Sequence, residues 1–304
     1  MKTRPLRLTL RQLSVFAAVA QHGTTVGAAH ELALSQSAVS GALADLEQAL
    51  GSALFDRFGR RLVINETGRM LFPRALSLLD QAHELEGLPL PSGVQLRVAA
   101  SNTIGSYILP ALLAGFRNAQ SGPCALDMRI GNTRETLQAL LKFEADIGLV
   151  EGHCQGHELV CTHWGDDEMV VVVSPSHALA RTSPGSPSAA ALRDADWVVR
   201  EPGSGTREII EERLAPHLGP LRFALELGNA EAIKRAVMSG FGVSCLSLHV
   251  VGDALAHGSL VALRGGLPPL VRPLHLVLHK DKYLTRGLRA FTDYLHQNAP
   301  KPLG

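Results

Sequence analysis

Three short stretches combine small hydroxyl, amide and glycine residues: Ser101-Asn102-Thr103, Gly131-Asn132-Thr133 and Gly203-Ser204-Gly205-Thr206. Each directly precedes a segment whose apolar spacing predicts a helix. Their unpaired N–H groups and short hydroxyls therefore stand where a helix dipole favours negative charge, and the chemistry they suit is the binding of a small anion. The same residue types also cap helices with no ligand present, which is the commoner use of any one such turn. Arg200 and Arg207 flank the third stretch, and Glu151 is a negative charge that an anion pocket does not ask for; the sequence orients none of the three. A second group, His153, Cys154, His157, Cys161 and His163, offers the ligand types of a metal or redox sensor. Its spacing is poor, since the adjacent His153 and Cys154 would point to opposite faces of a strand, and the segment reads better as a loop with incidental side chains. Gly203-x-Gly205 lacks the further glycine and the lysine of a nucleotide loop, and no nucleophile–base pairing is legible. No catalytic residue, metal or cofactor is expected, and the chain does not read as an enzyme.

The third set lies near the start. Thr25 is read as the cap of a short helix through Ala28, Ala29 and Leu32, and Ser35 as the cap of a second helix that Gly51 ends after Leu50. Only Ala33 and Leu34 separate them. In the second helix Val39, Ala42, Leu43, Leu46 and Leu50 share a buried face, while Gln36, Ser37, Ser40, Gly41 and Ala44 form the opposite one. Small and amide-bearing side chains let a helix approach base edges, which makes this a helix-turn-helix pattern. Next, Leu54-Phe55 and Leu62-Val63-Ile64 flank a tip at Phe58-Gly59, predicting a β-hairpin wing that carries Arg57, Arg60 and Arg61. Clustered arginines beside a recognition helix suit phosphate contacts.

The elements that must hold these residues follow from composition and periodicity. With 304 residues, 46% hydrophobic and 19% charged, the chain has room for about two domains with full cores. No apolar run approaches membrane-helix length, and Leu13 to Ala20 is too short and amphipathic for a signal-peptide core. Four irregularly spaced cysteines without a CxxC predict a reducing, cytoplasmic address, with no membrane partner. Net charge is only +1, so any nucleic-acid surface is local. Leu10, Leu13, Phe16, Ala17 and Ala20 predict a supporting helix before the hairpin. From Thr67 to Leu88 a further helix places Leu71, Ala75, Leu78, Ala82 and Leu85 at heptad spacing, a seam that asks for a partner helix, with Pro73 inside it and a linker at Leu88 to Gly93.

The run from Leu10 to Phe16, the string TTVGAAHELALSQSAVSGALADLEQALGSALFDR from Thr24 to Arg57, and RRLVINETGRMLFPRA up to Ala75 resemble the DNA-binding end of LysR-type transcriptional regulators. The resemblance implies that Gln36, Ser37 and Ser40 face bases and backbone and that Arg57, Arg60 and Arg61 are wing contacts. Where the family often carries an arginine after the recognition-helix serine, this chain has Gly41, which removes one base or phosphate contact. The implied partners are a pseudo-palindromic operator in double-stranded DNA, a small anionic effector, further copies in a homodimer or homotetramer, and RNA polymerase.

Beyond that point the pattern is α/β. Strands are expected at Val94 to Ala100, Ala125 to Ile130 and Asp146 to Val150, each of the first two followed by a helix; then at Glu168 to Ser174, Trp197 to Arg200, Phe223 to Leu227 and Val271 to His279. Helices are expected near Thr206 to Leu214, over Ala230 to Met238 and at Leu284 to Gln297. The predicted fold is thus α/β: a winged helix-turn-helix over 1–65, a dimerising linker helix and hinge over 66–92, and a two-lobed effector domain over 93–304 that resembles periplasmic binding proteins. Lobe I is expected at about 93–162 and 269–304 and lobe II at about 163–268, with all three anion-suited turns lining the cleft between them. The strings ASNTIGSYILP, RIGNTRETLQALL, DIGLVEG and EPGSGTRE resemble the branch of the family that regulates sulfite and sulfur metabolism and, further off, carbon fixation. This implies a sulfur oxyanion such as sulfite or sulfate as effector, the alternatives being a phosphorylated or carboxylate metabolite, or metal and redox sensing through His153 to His163.

Overall fold

The computed structural model describes residues 6–59, 61–87, 93–182, 187–263 and 267–300. Two compact units result: Met1–Ser92 with Asp281–Arg286, and Gly93–Lys280 with Gly287–Gly304.

In the first unit Thr9 begins α1 (Leu10–His22) through a capping box with Gln12, and Gly23 ends it in the left-handed region at φ 66. Thr24, not Thr25, caps α2 (Thr25–Glu31), its hydroxyl accepting from the Gly27 N–H. Thr25 instead accepts a hydrogen bond from Gln36 Nε2 at 3.3 Å, which ties the two helices of the motif together. Ser35 caps α3 (Gln36–Leu50) and Gly51 closes it at φ 70. Leu13, Phe16, Ala28, Val39, Leu43, Leu46 and Leu54 make the core of this unit. Leu50 is not in it: at the last turn of α3 it is exposed. The wing is β1 (Phe55–Phe58) paired antiparallel with β2 (Arg61–Ile64), Phe58 opposite Arg61. Arg60 and the linker residues Leu88 to Ser92 lie outside the described residues.

Helix α4 (Glu66–Gly87) carries Pro73 in its interior, and Lys282 and Tyr283 bond to its Asp80 and Glu84 at 2.7 and 2.9 Å. Its expected single seam divides in two. Leu71 and Ala75 pack into the unit's own core, whereas Leu78 and Leu85 are 47% and 68% exposed.

The second unit is built on one sheet of mixed direction. Its first half contains β3 (Val94–Ser101), β4 (Cys124–Gly131) and β5 (Ile147–Glu151). A π-helical turn (Ile104–Ile108) leads into α5 (Leu109–Ala119), and α6 (Thr133–Leu141) follows β4. Strand β6 (Leu159–Val173) then runs into the second half, where α7 (Ala178–Thr182), α8 (Ala189–Arg193), β7 (Asp196–Val199) and α9 (Gly205–Ile209) follow. A second π-turn (Ile210–Leu214), α10 (Ala215–Leu218), β8 (Arg222–Glu226), α11 (Ala230–Met238), β9 (Val243–Ser247), α12 (Leu248–Ala256) and β10 (Val261–Leu263) complete it. Strand β11 (Val271–His279) and α13 (Arg286–Gln297) return to the first half. Strand order is β4-β3-β5-β11-β6-β9-β7-β8, with β10 also on β6.

Each half of the sheet is covered on both faces, which is why its strands read as continuous apolar runs. Leu96, Val98, Leu149, Phe116 and Phe291 fill one side of the first half, and Ala99, Leu140, Val150 and Val277 the other. Val171, Val173, Trp197 and Ile210 cover one side of the second half, and Val172, Val198, Ile233 and Val251 the other. Strand β6 begins nine residues before the expected Glu168, and β9, α12 and β10 occupy a stretch for which the sequence suggests no element.

Candidate functional site

On the first unit, Gln36, Ser37 and Ser40 are exposed along one face of α3, and Arg57 and Arg61 are exposed on the two strands of the wing. Ser37 sits 3.0 Å from the capping hydroxyl of Ser35, and Gln36 spends one amide hydrogen on Thr25. The helix face is thus polar, small and partly pre-oriented.

In the second unit the chain folds three turns onto one buried polar cluster. Its centre is the fully buried Arg272 on β11, a residue the sequence reading missed. Arg272 donates from Nε and Nη2 to Asp167 Oδ2 at 2.8 and 2.7 Å, from Nη2 to Thr103 Oγ1 at 3.1 Å, and from Nη1 to Thr206 Oγ1 at 3.0 Å. The Glu151 carboxylate, 1% exposed at the end of β5, lies 3.5 Å from Arg272 Nη1 and accepts from the Ser101 hydroxyl. Thr133 Oγ1 donates to the Glu151 carbonyl at 3.0 Å, and Ser247 donates to Asp167 Oδ1 at 2.7 Å. Gly205 must be glycine here, since a Cβ would lie 2.3 Å from the Glu151 carbonyl oxygen.

Opposite charges meet at close range in this cluster. Burial pushes the Glu151 carboxyl above its usual range; Arg272 opposes the shift and Asp167 adds to it. Burial also pushes the neighbouring Cys245 thiol up to about 12. Arg200, 1% exposed, forms a fork on Glu201 through Nε and Nη2, both at 2.7 Å, while its buried Nη1 has no hydrogen-bond partner among the described residues. Glu201 also accepts from Asn132 Nδ2 at 3.1 Å. Burial disfavours its charge, yet the Arg200 bond prevails and holds the carboxyl below the usual range. Arg207 turns the other way, bonding Glu211, Glu226 and the Arg200 carbonyl and lying over the Phe223 ring.

The predicted residues therefore divide. Ser101, Thr103, Thr133 and Thr206 converge on the cluster. Asn132 and Ser204 act as helix caps, accepting from the Glu135 and Thr206 N–H groups. Asn102 donates to the Gly131 carbonyl at 2.8 Å and braces the first two turns against each other, and Gly203 accepts from the Arg134 N–H at 3.2 Å. Beside the hydroxyls and backbone N–H groups that the sequence suggests, the cluster holds two buried guanidinium groups, Arg200 and Arg272. A groove of about 540 Å³ adjoins the cluster, lined by Thr133, Arg134, His153, Gly203, Glu208 and Glu212 among others.

The histidine and cysteine segment also differs from expectation. Cys154 and Cys161 form a disulfide, and Cys161 and His163 stand on β6 rather than in a loop. Two of the five candidate ligands are thus bonded to each other, and among the described residues no group of three or more His, Cys, Asp or Glu is placed to hold a metal ion. The described residues also include no helix long and apolar enough to cross a membrane.

Comparison with known proteins agrees with this architecture. The profile of bacterial regulatory helix-turn-helix proteins of the lysR family matches residues 10–69, and that of the LysR substrate binding domain matches residues 91–300. The chain is 48% identical over 289 residues to the uncharacterized HTH-type transcriptional regulator YeiE of Escherichia coli, covering 95% of this chain and 97% of that protein. It is 34% identical over 300 residues to the RuBisCO operon transcriptional regulator of Allochromatium vinosum, covering 97% and 98%. The regulatory domain of Synechocystis CcmR, solved in complex with 2-PG, is 30% identical with a TM-score of 0.61, over 68% of this chain and 97% of that one. The chain belongs to the LysR family of transcriptional regulators, with a helix-turn-helix DNA-binding region followed by an effector-binding domain.

Proposed function

We propose that this regulator binds a pseudo-palindromic operator in double-stranded DNA and is gated by a small oxyanion, a sulfur oxyanion such as sulfite or sulfate, held between the two halves of its effector domain. On this reading Gln36, Ser37 and Ser40 meet base edges and the adjoining backbone, while Arg57, Arg60 and Arg61 meet phosphates. The protein works in the cytoplasm, where the DNA is, as a homodimer or homotetramer joined through α4, and reaches RNA polymerase from the operator. One observation supports the effector most: hydroxyls from three separate turns, Ser101, Thr103, Thr133 and Thr206, gather around the buried Glu151 and Arg272, near a guanidinium nitrogen of Arg200 that has no partner among the described residues. Charge-assisted donors at that density suit a compact anion, and the close packing leaves little room for a large one. Isothermal titration with sulfite, sulfate, thiosulfate, phosphate and phosphorylated sugars tests it. Saturable binding of a sulfur oxyanion in preference to the others is expected. The second reading, a phosphorylated metabolite, draws on the 2-PG complex of the Synechocystis relative, and binding of phosphosugars with no response to sulfur oxyanions would establish it instead.

A further inference from the structure

The cluster that should receive an anion already holds one of its own. With Glu151, Asp167 and Arg272 ionised, this buried trio carries one net negative charge, and the Arg200–Glu201 pair adds none. A second anion brought into such a site meets like charge with little water to screen it. Yet the donors around Glu151 are those an oxyanion would use: the Ser101 hydroxyl, Arg272 Nη1 at 3.5 Å, and the neighbouring Thr103 hydroxyl, whose oxygen accepts from Arg272 and which is itself hydrogen-bonded to the Glu151 carboxyl.

We infer that Glu151 holds the effector's place: an entering anion takes over the donors of Ser101, Thr103 and Arg272, recruits Arg200 Nη1, which has no partner among the described residues, and brings one proton from solvent that neutralises Glu151. This rests on the oxyanion reading of the cleft. After the exchange the Glu151 carboxyl is an O–H donor and no longer a competing charge, and the trio has become neutral before the effector's charge is added. The charged and titratable groups facing Glu151 agree. Arg272 from β11 and Arg200 after β7 favour its charge, while Asp167 from β6 and burial oppose it. Cys245 from β9 borders Arg272 and Asp167 with a thiol that burial keeps protonated. Glu208 on α9 is the other raised carboxyl nearby, held up by burial beside His153 and Glu212. It lies on the groove side and, with His153 beside it, is a rival for the proton.

Titration calorimetry of the full chain with sulfate and thiosulfate, neither of which takes up protons near neutral pH, should be run in buffers of low and high ionisation enthalpy. Uptake of close to one proton per anion is expected, with affinity rising about tenfold per pH unit of acidification. Glu151→Gln, which keeps shape and loses the charge, should bind as tightly as the parent or more tightly, with no proton uptake and a flat pH profile; Glu208→Gln should keep the parent's uptake. Binding without proton uptake by the parent, or uptake kept in Glu151→Gln, overturns this inference alone. Failure of both parent and Glu151→Gln to bind sulfate, thiosulfate, sulfite or inorganic phosphate overturns the oxyanion reading and this inference with it. If Glu151→Gln does not fold, uptake by the parent that persists in Glu208→Gln and in His153→Gln supports the inference, and uptake lost in either overturns it.

Discussion

Arg272 shows what residue types alone do and do not reveal. The hydroxyls that meet it were legible because turns of the same residue types recur before several predicted helices, but Arg272 lies 66 residues from Thr206 and 169 from Thr103, so nothing local announced it. A lone arginine in a valine- and leucine-rich strand was the signal available, since a charge there must be paired or be costly. Glu151 was noticed as discordant with an anion pocket, and its burial explains the discord. Two outcomes belong at this scale. Thr103→Val should keep the fold and weaken oxyanion binding roughly tenfold or more, measured by calorimetry, because it leaves a charged acceptor and an Arg272 donor unmet. The second concerns pH. Since the folded-state pKa of Glu151 lies above its unfolded value, its contribution to stability is complete below the ordinary carboxylate range and is lost as pH rises from there through the raised folded value. Glu151→Gln should flatten that part of the stability-versus-pH curve, as urea unfolding at a series of pH values would show.

Among the elements, strong periodicity was readable and irregular polarity was not. The expected range for α11 coincides with Ala230–Met238 and that for β11 with Val271–His279, because each buries a regular face. The opening of β6 escaped notice since its outward residues include Thr162, His163 and Asp166, and the alternation that marks a half-buried strand is broken there. At α2 the cap was assigned one residue late because Thr24 and Thr25 are chemically equivalent candidates, and only the Gly27 N–H selects between them. The wing gives the sharpest test. Alanine at Arg57 and Arg61 should weaken binding to every duplex alike and flatten the dependence of affinity on salt by about one counterion for each arginine removed. Gln36→Ala should instead narrow the gap between operator and random DNA. Gel-shift titrations at several salt concentrations separate the two, and a wing variant with the parent's salt slope would remove Arg57 and Arg61 from the interface.

For the whole molecule, the divided seam of α4 concentrates any partner contact on its C-terminal half, where Leu78 and Leu85 remain uncovered. Leu78→Asp should therefore yield smaller species on light scattering that hold a half-site and lose the palindrome, while the helix-turn-helix core, which Leu78 does not enter, stays folded. Inside the effector domain, the joint between the halves is made of strand. Over Leu159 to Glu168, β6 pairs with β11 in the first half, and over Met169 to Val173 it pairs with β9 in the second, without leaving the sheet. Such a joint is a leaf spring and not a door hinge. Bending there would be shared among ladder hydrogen bonds and the register shift at Leu274 and His275, so a stiff joint of small travel is expected. An occupant of the cleft would thus load the sheet in torsion, and the message sent along the chain would be a torque with little displacement. Hydrogen exchange should find the amides of β6 protected alike with and without ligand.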